Sequence, residues 1–143
     1  MFALLRNARV WAPEPLGVCD IAISGDRVAA LGPALDSCPT WAEVRETDLE
    51  GRTVIPALID GHVHVTGGGG EAGHGSRVAP LPAASYRSAG IGTVVGMLGT
   101  DDTTRTTGEL VAWSRELSAA GVSAYCLTGG YHVPLTTLTG TVR

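Results

Sequence analysis

The 143-residue sequence contains no lysine; its ten side-chain cations other than histidine are all arginine. With 14 acidic residues the formal net charge is −4. That balance argues against nucleic acid or an anionic membrane as the main partner. Cysteine is scarce, with Cys19, Cys38 and Cys126 in no CxxC or regular spacing. An odd count suits no disulfide framework, so reduced, partly buried thiols of a cytosolic protein are expected. No apolar run approaches the roughly 18 residues that a membrane span needs. Met1–Val10 carries Arg6 and Arg9 but no long apolar core, so no signal peptide is visible. A cytoplasmic location is the resulting expectation. Two nucleophile and phosphate signatures are also missing, GxSxG and GxxxxGK[ST], which excludes a serine-hydrolase elbow and a Walker loop.

What is present is a globular composition, 44% hydrophobic and 17% charged, with 20 glycines and eight prolines. Phe2–Leu5 and Ala8–Trp11 read as short strands. Asp20–Ser24 and Arg27–Leu31 alternate and are joined by Gly25-Asp26, the pattern of a II′ hairpin. Pro33–Pro39 reads as a loop and Trp41–Leu49 as an ambiguous strand. Residues 1–55 are therefore taken as a small β unit with little chain to cover both of its faces.

From Val54 onward strand and helix alternate. Leu58–Val65 reads as a buried strand, Pro82 opens a short helix closed by Gly90, and Thr93–Leu98 is a second strand. Thr106-Thr-Gly-Glu109 fits a capping box, and Leu110, Trp113, Leu117 and Ala120 recur at helical spacing up to Gly121. Val122–Leu127 is the third strand. Such alternation implies a parallel sheet with crossover helices over residues 56–143. Trp11, Trp41 and Trp113 read as packing residues.

The chemical signal is the run Val54–Glu71, which holds His62 and His64 at the end of an apolar strand. Side chains two apart on a strand share a face, so both imidazoles can reach one ion. Two ligands make half a site, because catalytic zinc uses at least three. Asp60 is placed either to orient an imidazole from behind or as a cap or solvated carboxylate. The glycine run that follows contains a literal GxGxxG at Gly68, Gly70 and Gly73. No helix opens directly after it, and Pro80 and Pro82 interrupt it, so a dinucleotide fold is not supported. His74 reads as a loop residue and His132 as structural.

Pro56-x-x-Ile59-Asp60-x-His62-x-His64 resembles the opening metal motif of the amidohydrolase superfamily. The segments Gly67–Gly73, Gly96–Asp101 and Thr128–Pro134 narrow the resemblance to the isoaspartyl (β-aspartyl) dipeptidases, of which the chain resembles only the opening part. The resemblance implies an α/β fold, a small β-sandwich-like unit followed by the first β/α units of an incomplete TIM (β/α)₈ barrel. A complete barrel needs about 250 residues. It implies a dinuclear zinc centre, with His62 and His64 as ligands from this chain. Gly69 would offer backbone contacts, Glu71 would pair with the substrate's α-ammonium, and Thr100 would bind substrate or merely stabilise its own turn. Tyr131 would polarise the scissile carbonyl, or else be an ordinary bonded tyrosine.

The activity so implied is hydrolysis of a small isoaspartyl dipeptide by a metal-bound hydroxide. A homo-oligomer is expected of the full-length family member. Family members complete the metal site with a carboxylated lysine, two more histidines and an aspartate, and this sequence has no counterparts. The 143 residues alone are therefore expected to be inactive. Two rival readings are a dihydroorotase- or hydantoinase-like cyclic amidohydrolase, and a non-catalytic truncated product that binds a partner through open strands. One further departure is Ala57, where the motif carries glycine; a positive φ there would strain alanine.

Overall fold

The computed structural model describes residues 2–36 and 43–141, which fall into two units, Met1–Pro56 and Ala57–Arg143. Trp41 and Cys38 lie outside the described residues.

In the first unit the two short strands expected near the N-terminus are one, β1 (Phe2–Trp11). It pairs antiparallel with β2 (Pro15–Ser24) and parallel with β4 (Val44–Asp48) and β5 (Thr53–Val54). The break seen in the pattern is a bulge between Leu5 and Ala8, where Asn7 takes φ 55°. Asparagine tolerates that left-handed conformation better than most residues. Asp20 stabilises the bulge: its carboxylate accepts the Asn7 N–H at 3.1 Å, the Leu35 N–H at 3.1 Å and an Arg6 guanidinium at 2.7 Å. The β2–β3 hairpin turns at Gly25, φ 63°, into β3 (Arg27–Gly32), as the sequence predicted. Ala8, Val10, Cys19 and Ile21 form the core of this unit. Trp11, expected to pack, is 44% exposed because it ends β1 beyond that core.

The second unit holds a parallel sheet in the order β6 (Leu58–Val63), β7 (Ile91–Gly96), β8 (Ser123–Cys126). Helix α1 (Ala83–Ser88) links the first two strands and α2 (Thr107–Ala119) the last two. Both helices pack into one core with Val63, Val65, Val94, Leu98 and Val122, contributing Tyr86, Leu110 and Leu117. The Thr106 hydroxyl accepts the Glu109 N–H at 3.1 Å, the Thr half of the expected capping box. Gly121, φ 86°, follows the helix end.

β6 is not the buried strand that its apolar run suggested. It is an edge strand among the described residues, and Leu58 and Ile59 are 54% and 72% exposed. An apolar run is covered only where a neighbour exists to cover it. Ala57 is unstrained, since it is not among the residues of positive φ, and its methyl lies where Gly92 leaves room: a Cβ on Gly92 would sit 2.6 Å from it. No helix among the described residues is long and apolar enough to cross a membrane.

Candidate functional site

His62 lies in β6 and His64 just beyond its end, with a bulge between Asp60 and Val63. Their ring centroids are 5.3 Å apart and nearly perpendicular, and both line one cavity of about 360 Å³. The His64 Nδ1 faces the Met97 carbonyl at 3.3 Å. A carbonyl in that place selects the tautomer with the proton on Nδ1 and leaves the lone pair on Nε2. Two imidazoles with one prealigned lone pair fit a borderline cation such as zinc. Among the described residues no three His, Cys, Asp or Glu side chains converge on one point, so the pair stands without a third protein ligand. Asp60 does not brace an imidazole. Its Oδ1 accepts the His62 backbone N–H at 3.0 Å, which shapes the strand end instead.

The loop after β6 runs back close to its own far side. Gly67 (φ 89°) and Gly69 (φ 66°) leave no space for a side chain: a Cβ would lie 2.2 Å from the Val78 carbonyl oxygen and 2.3 Å from that of Ser76. Only glycine permits both the conformation and the approach. The Gly69 carbonyl is taken by Arg105 at 2.9 Å, so a backbone contact from Gly69 to a ligand would use its N–H.

Glu71 ends this loop and is exposed, and its Oε1 accepts the Thr100 hydroxyl at 2.6 Å. Thr100 thus acts on Glu71, a pairing that neither role predicted for it included. That bond lowers the Glu71 pKa below its ordinary value of 4.5, helped by the Glu71 backbone N–H and by the charges of Arg105 and His64, against the effect of burial. His74, in a single 3₁₀ turn, lines a different cavity with Arg77 and Trp113.

Tyr131 follows β8. Its side chain is 66% exposed, and among the described residues its phenol makes no hydrogen bond. Its backbone N–H is bound to Asp102 at 2.6 Å, and the neighbouring His132 N–H to the same oxygen at 3.1 Å. The His132 ring also rests on Asp102, so His132 is tied to the loop after β7. His64, Glu71, Thr100 and Tyr131 all sit beyond the C-terminal ends of parallel strands, where such sheets carry their functional loops.

Arg105 and Asp102 were not among the residues singled out from the sequence. Arg105 is 1% exposed, and its guanidinium donates to the carbonyls of Thr66 (3.1 Å), Gly68 (2.7 Å) and Gly69. Neither lies in a motif, and an isolated Arg or Asp in a polar loop reads as solvated.

No family model matches the chain. It is similar to the crystal structure of a β-aspartyl dipeptidase from Fervidobacterium islandicum AW-1, with a TM-score of 0.92 and 37% identity, over 99% of this chain and 38% of that one. The same dipeptidase in complex with a β-Asp-Leu dipeptide aligns with a TM-score of 0.91. An imidazolonepropionase of Sphingopyxis alaskensis is 36% identical over 137 residues, 87% of this chain and 32% of that protein. An adenine deaminase of a Ruegeria species is 40% identical over 68 residues, 46% of this chain and 11% of that protein. The chain thus spans about a third of the length of the dipeptidase and the imidazolonepropionase, and less of the deaminase.

Proposed function

Since the chain belongs to the amidohydrolase superfamily, where it matches the N-terminal part of the β-aspartyl dipeptidases, we propose that it supplies the first metal ligands and the amine-recognising loop of a zinc-dependent β-aspartyl dipeptidase. The observation that carries this is the 2.6 Å bond from the Thr100 hydroxyl to Glu71, which joins the loop after β7 to the loop that follows the His62/His64 pair and keeps the carboxylate ionised. His62 and His64 would hold zinc. Bound there, zinc would supply Lewis-acid polarisation and a lowered pKa for bound water.

The chain's own residues then divide the work. Glu71 pairs with the free α-ammonium of an isoaspartyl dipeptide, a charge-assisted contact that peptides lacking the amine cannot make. The Gly69 N–H offers a backbone donor beside it. The Tyr131 phenol, which makes no hydrogen bond among the described residues, donates to the scissile carbonyl as negative charge develops on its oxygen. Because two imidazoles are fewer than a catalytic zinc site uses, the isolated 143 residues are expected to bind zinc weakly and to turn nothing over. Reduced Cys19 and Cys126 suit a cytoplasmic setting, and a homo-oligomer is proposed for the whole enzyme.

The similarity to an imidazolonepropionase over 87% of this chain favours a second reading, hydrolysis of a cyclic amide. One variant separates the two. Glu71→Gln in the complete enzyme carrying this sequence should lower kcat/KM for β-Asp-Leu by about 100-fold, the scale of a lost charged contact. Hydrolysis of a cyclic amide should be unmoved. The reverse result favours the cyclic reading. Calorimetric titration of the 143-residue chain tests the ligands: zinc affinity should fall at least about 10-fold in His62→Ala and in His64→Ala. Unchanged affinity would remove the imidazole pair from the site.

A further inference from the structure

The segment between β7 and α2 sends two buried charges to two different loops. Arg105 spends its donors on the carbonyls of Thr66, Gly68 and Gly69, with Asp101 3.6 Å away as its nearest carboxylate. Asp102, its side chain 2% exposed, spends one oxygen on the N–H groups of Tyr131 and His132. Glycine at 130 leaves room for that approach: a Cβ there would lie 2.6 Å from the Asp102 oxygen and displace it. Buried charges are costly unless their partners are fixed, so each one selects a single conformation of the loop it binds. Among the described residues the Tyr131 phenol has no hydrogen bond, so its exposed ring is placed chiefly by the backbone that carries it.

We propose that Asp102 and Arg105 are positioning residues of the site, Asp102 acting through Tyr131 on the scissile carbonyl and Arg105 acting through the Gly69–Glu71 loop on the substrate amine. The inference rests on the roles given to Tyr131 and Glu71 above. It adds that one segment sets both, and that the two effects fall on different kinetic constants. Displacement of a contacting group by about 1 Å is enough to cost about 100-fold. The carbonyl contact strengthens as the barrier is climbed, so Asp102 belongs to kcat; the amine contact exists already on binding, so Arg105 belongs to KM.

The test uses the complete zinc-loaded enzyme carrying this sequence, with β-Asp-Leu as substrate. Asp102→Ala should lower kcat about 100-fold with KM changed less than about 3-fold. Asp102→Asn keeps an acceptor oxygen and should recover about 10-fold of the loss. Arg105→Lys keeps the charge but not the fork, and should raise KM about 10-fold while sparing kcat. Adding Asp102→Ala to Tyr131→Phe, or Arg105→Lys to Glu71→Gln, should cost nothing more than the second substitution alone. Amide hydrogen exchange should quicken at residues 130–132 in the Asp102 variants and at 66–70 in Arg105→Lys. If Asp102→Ala does not fold, the isosteric Asn variant carries the comparison. Single losses that multiply in the doubles, or that fall alike on kcat and KM, overturn the inference while leaving the preceding reading intact. Silent Tyr131→Phe and Glu71→Gln variants overturn both.

Discussion

At the scale of single residues, the Thr100–Glu71 bond is the contact whose chemistry is most open to measurement. The Thr100 hydroxyl is the largest cause of the lowered Glu71 pKa. A depressed pKa keeps the carboxylate charged to lower pH, so the amine contact proposed for it would survive acidification past the ordinary value of 4.5. Thr100→Val removes the donor and keeps the shape. In the complete enzyme carrying this sequence, the acid limb of the KM–pH profile for β-Asp-Leu should then move to higher pH, with KM near neutrality little changed. An unmoved limb would mean that Glu71 is not the group that titrates. His62 and His64 could be singled out because their spacing is written along the chain, and Glu71 only through the family resemblance. Thr100's partner could not be, because it lies 29 residues away and depends on two loops meeting.

At the scale of elements, α2 is the most local part of the fold. Thr106 caps it, and Leu110, Ser114 and Leu117 are buried along one stripe. Thr106→Ala should cost about 1 kcal/mol, and Leu110→Ala about 2–5 kcal/mol, both read from urea unfolding of the chain. A cost for Thr106→Ala near zero would show the cap to be idle. The spacing of that helix foretold its buried face because 3.6-residue periodicity is a property of the helix alone. β6 shows the opposite case. Its apolar run predicted burial, yet Leu58 and Ile59 are exposed, since burial of a strand is decided by what lies beside and above it. The merging of two expected strands into β1 has a related cause. The bulge at Asn7 shifts the alternation by one residue and looks like a break until Asp20 is seen opposite it.

At the scale of the whole molecule, acid stability and solubility are the accessible properties. Asp20 has a lowered pKa, chiefly from the Arg6 hydrogen bond and then from the N–H groups of Asn7 and Leu35. Asp48 is lowered by the Asn7 side chain and the Glu50 N–H, and Asp101 by Thr104. For each, the unfolded chain binds protons more tightly than the folded one. The stability they give is therefore full above the unfolded value of about 3.8 and is lost as pH falls from there through the lower native value. The melting temperature should fall across that window, and Asp20→Asn should flatten the fall from a lower plateau at neutral pH. A second expectation concerns association. Ile59, Tyr125 and Leu127 leave apolar surface, 72%, 65% and 48% exposed, beside strand edges that are unpaired among the described residues. Light scattering of the 143-residue chain should show mass rising with concentration, and Ile59→Lys with Tyr125→Lys should reduce the rise.

The sequence by itself determined the imidazole pair, the order of strands and helices in the second unit, the capped helix and the loops on which chemistry would sit. Each of these is a short-range pattern, set by strand and helix periods or by the special conformations of glycine and proline. Only the tertiary structure decided that Asp60 serves a backbone amide, that Thr100 serves Glu71, and that Arg105 and Asp102 hold the flanking loops. Those bonds join residues up to 39 positions apart in chain order, apart from the local one at Asp60. A buried charge is identified by its partners, and chain folding alone brings such partners into reach.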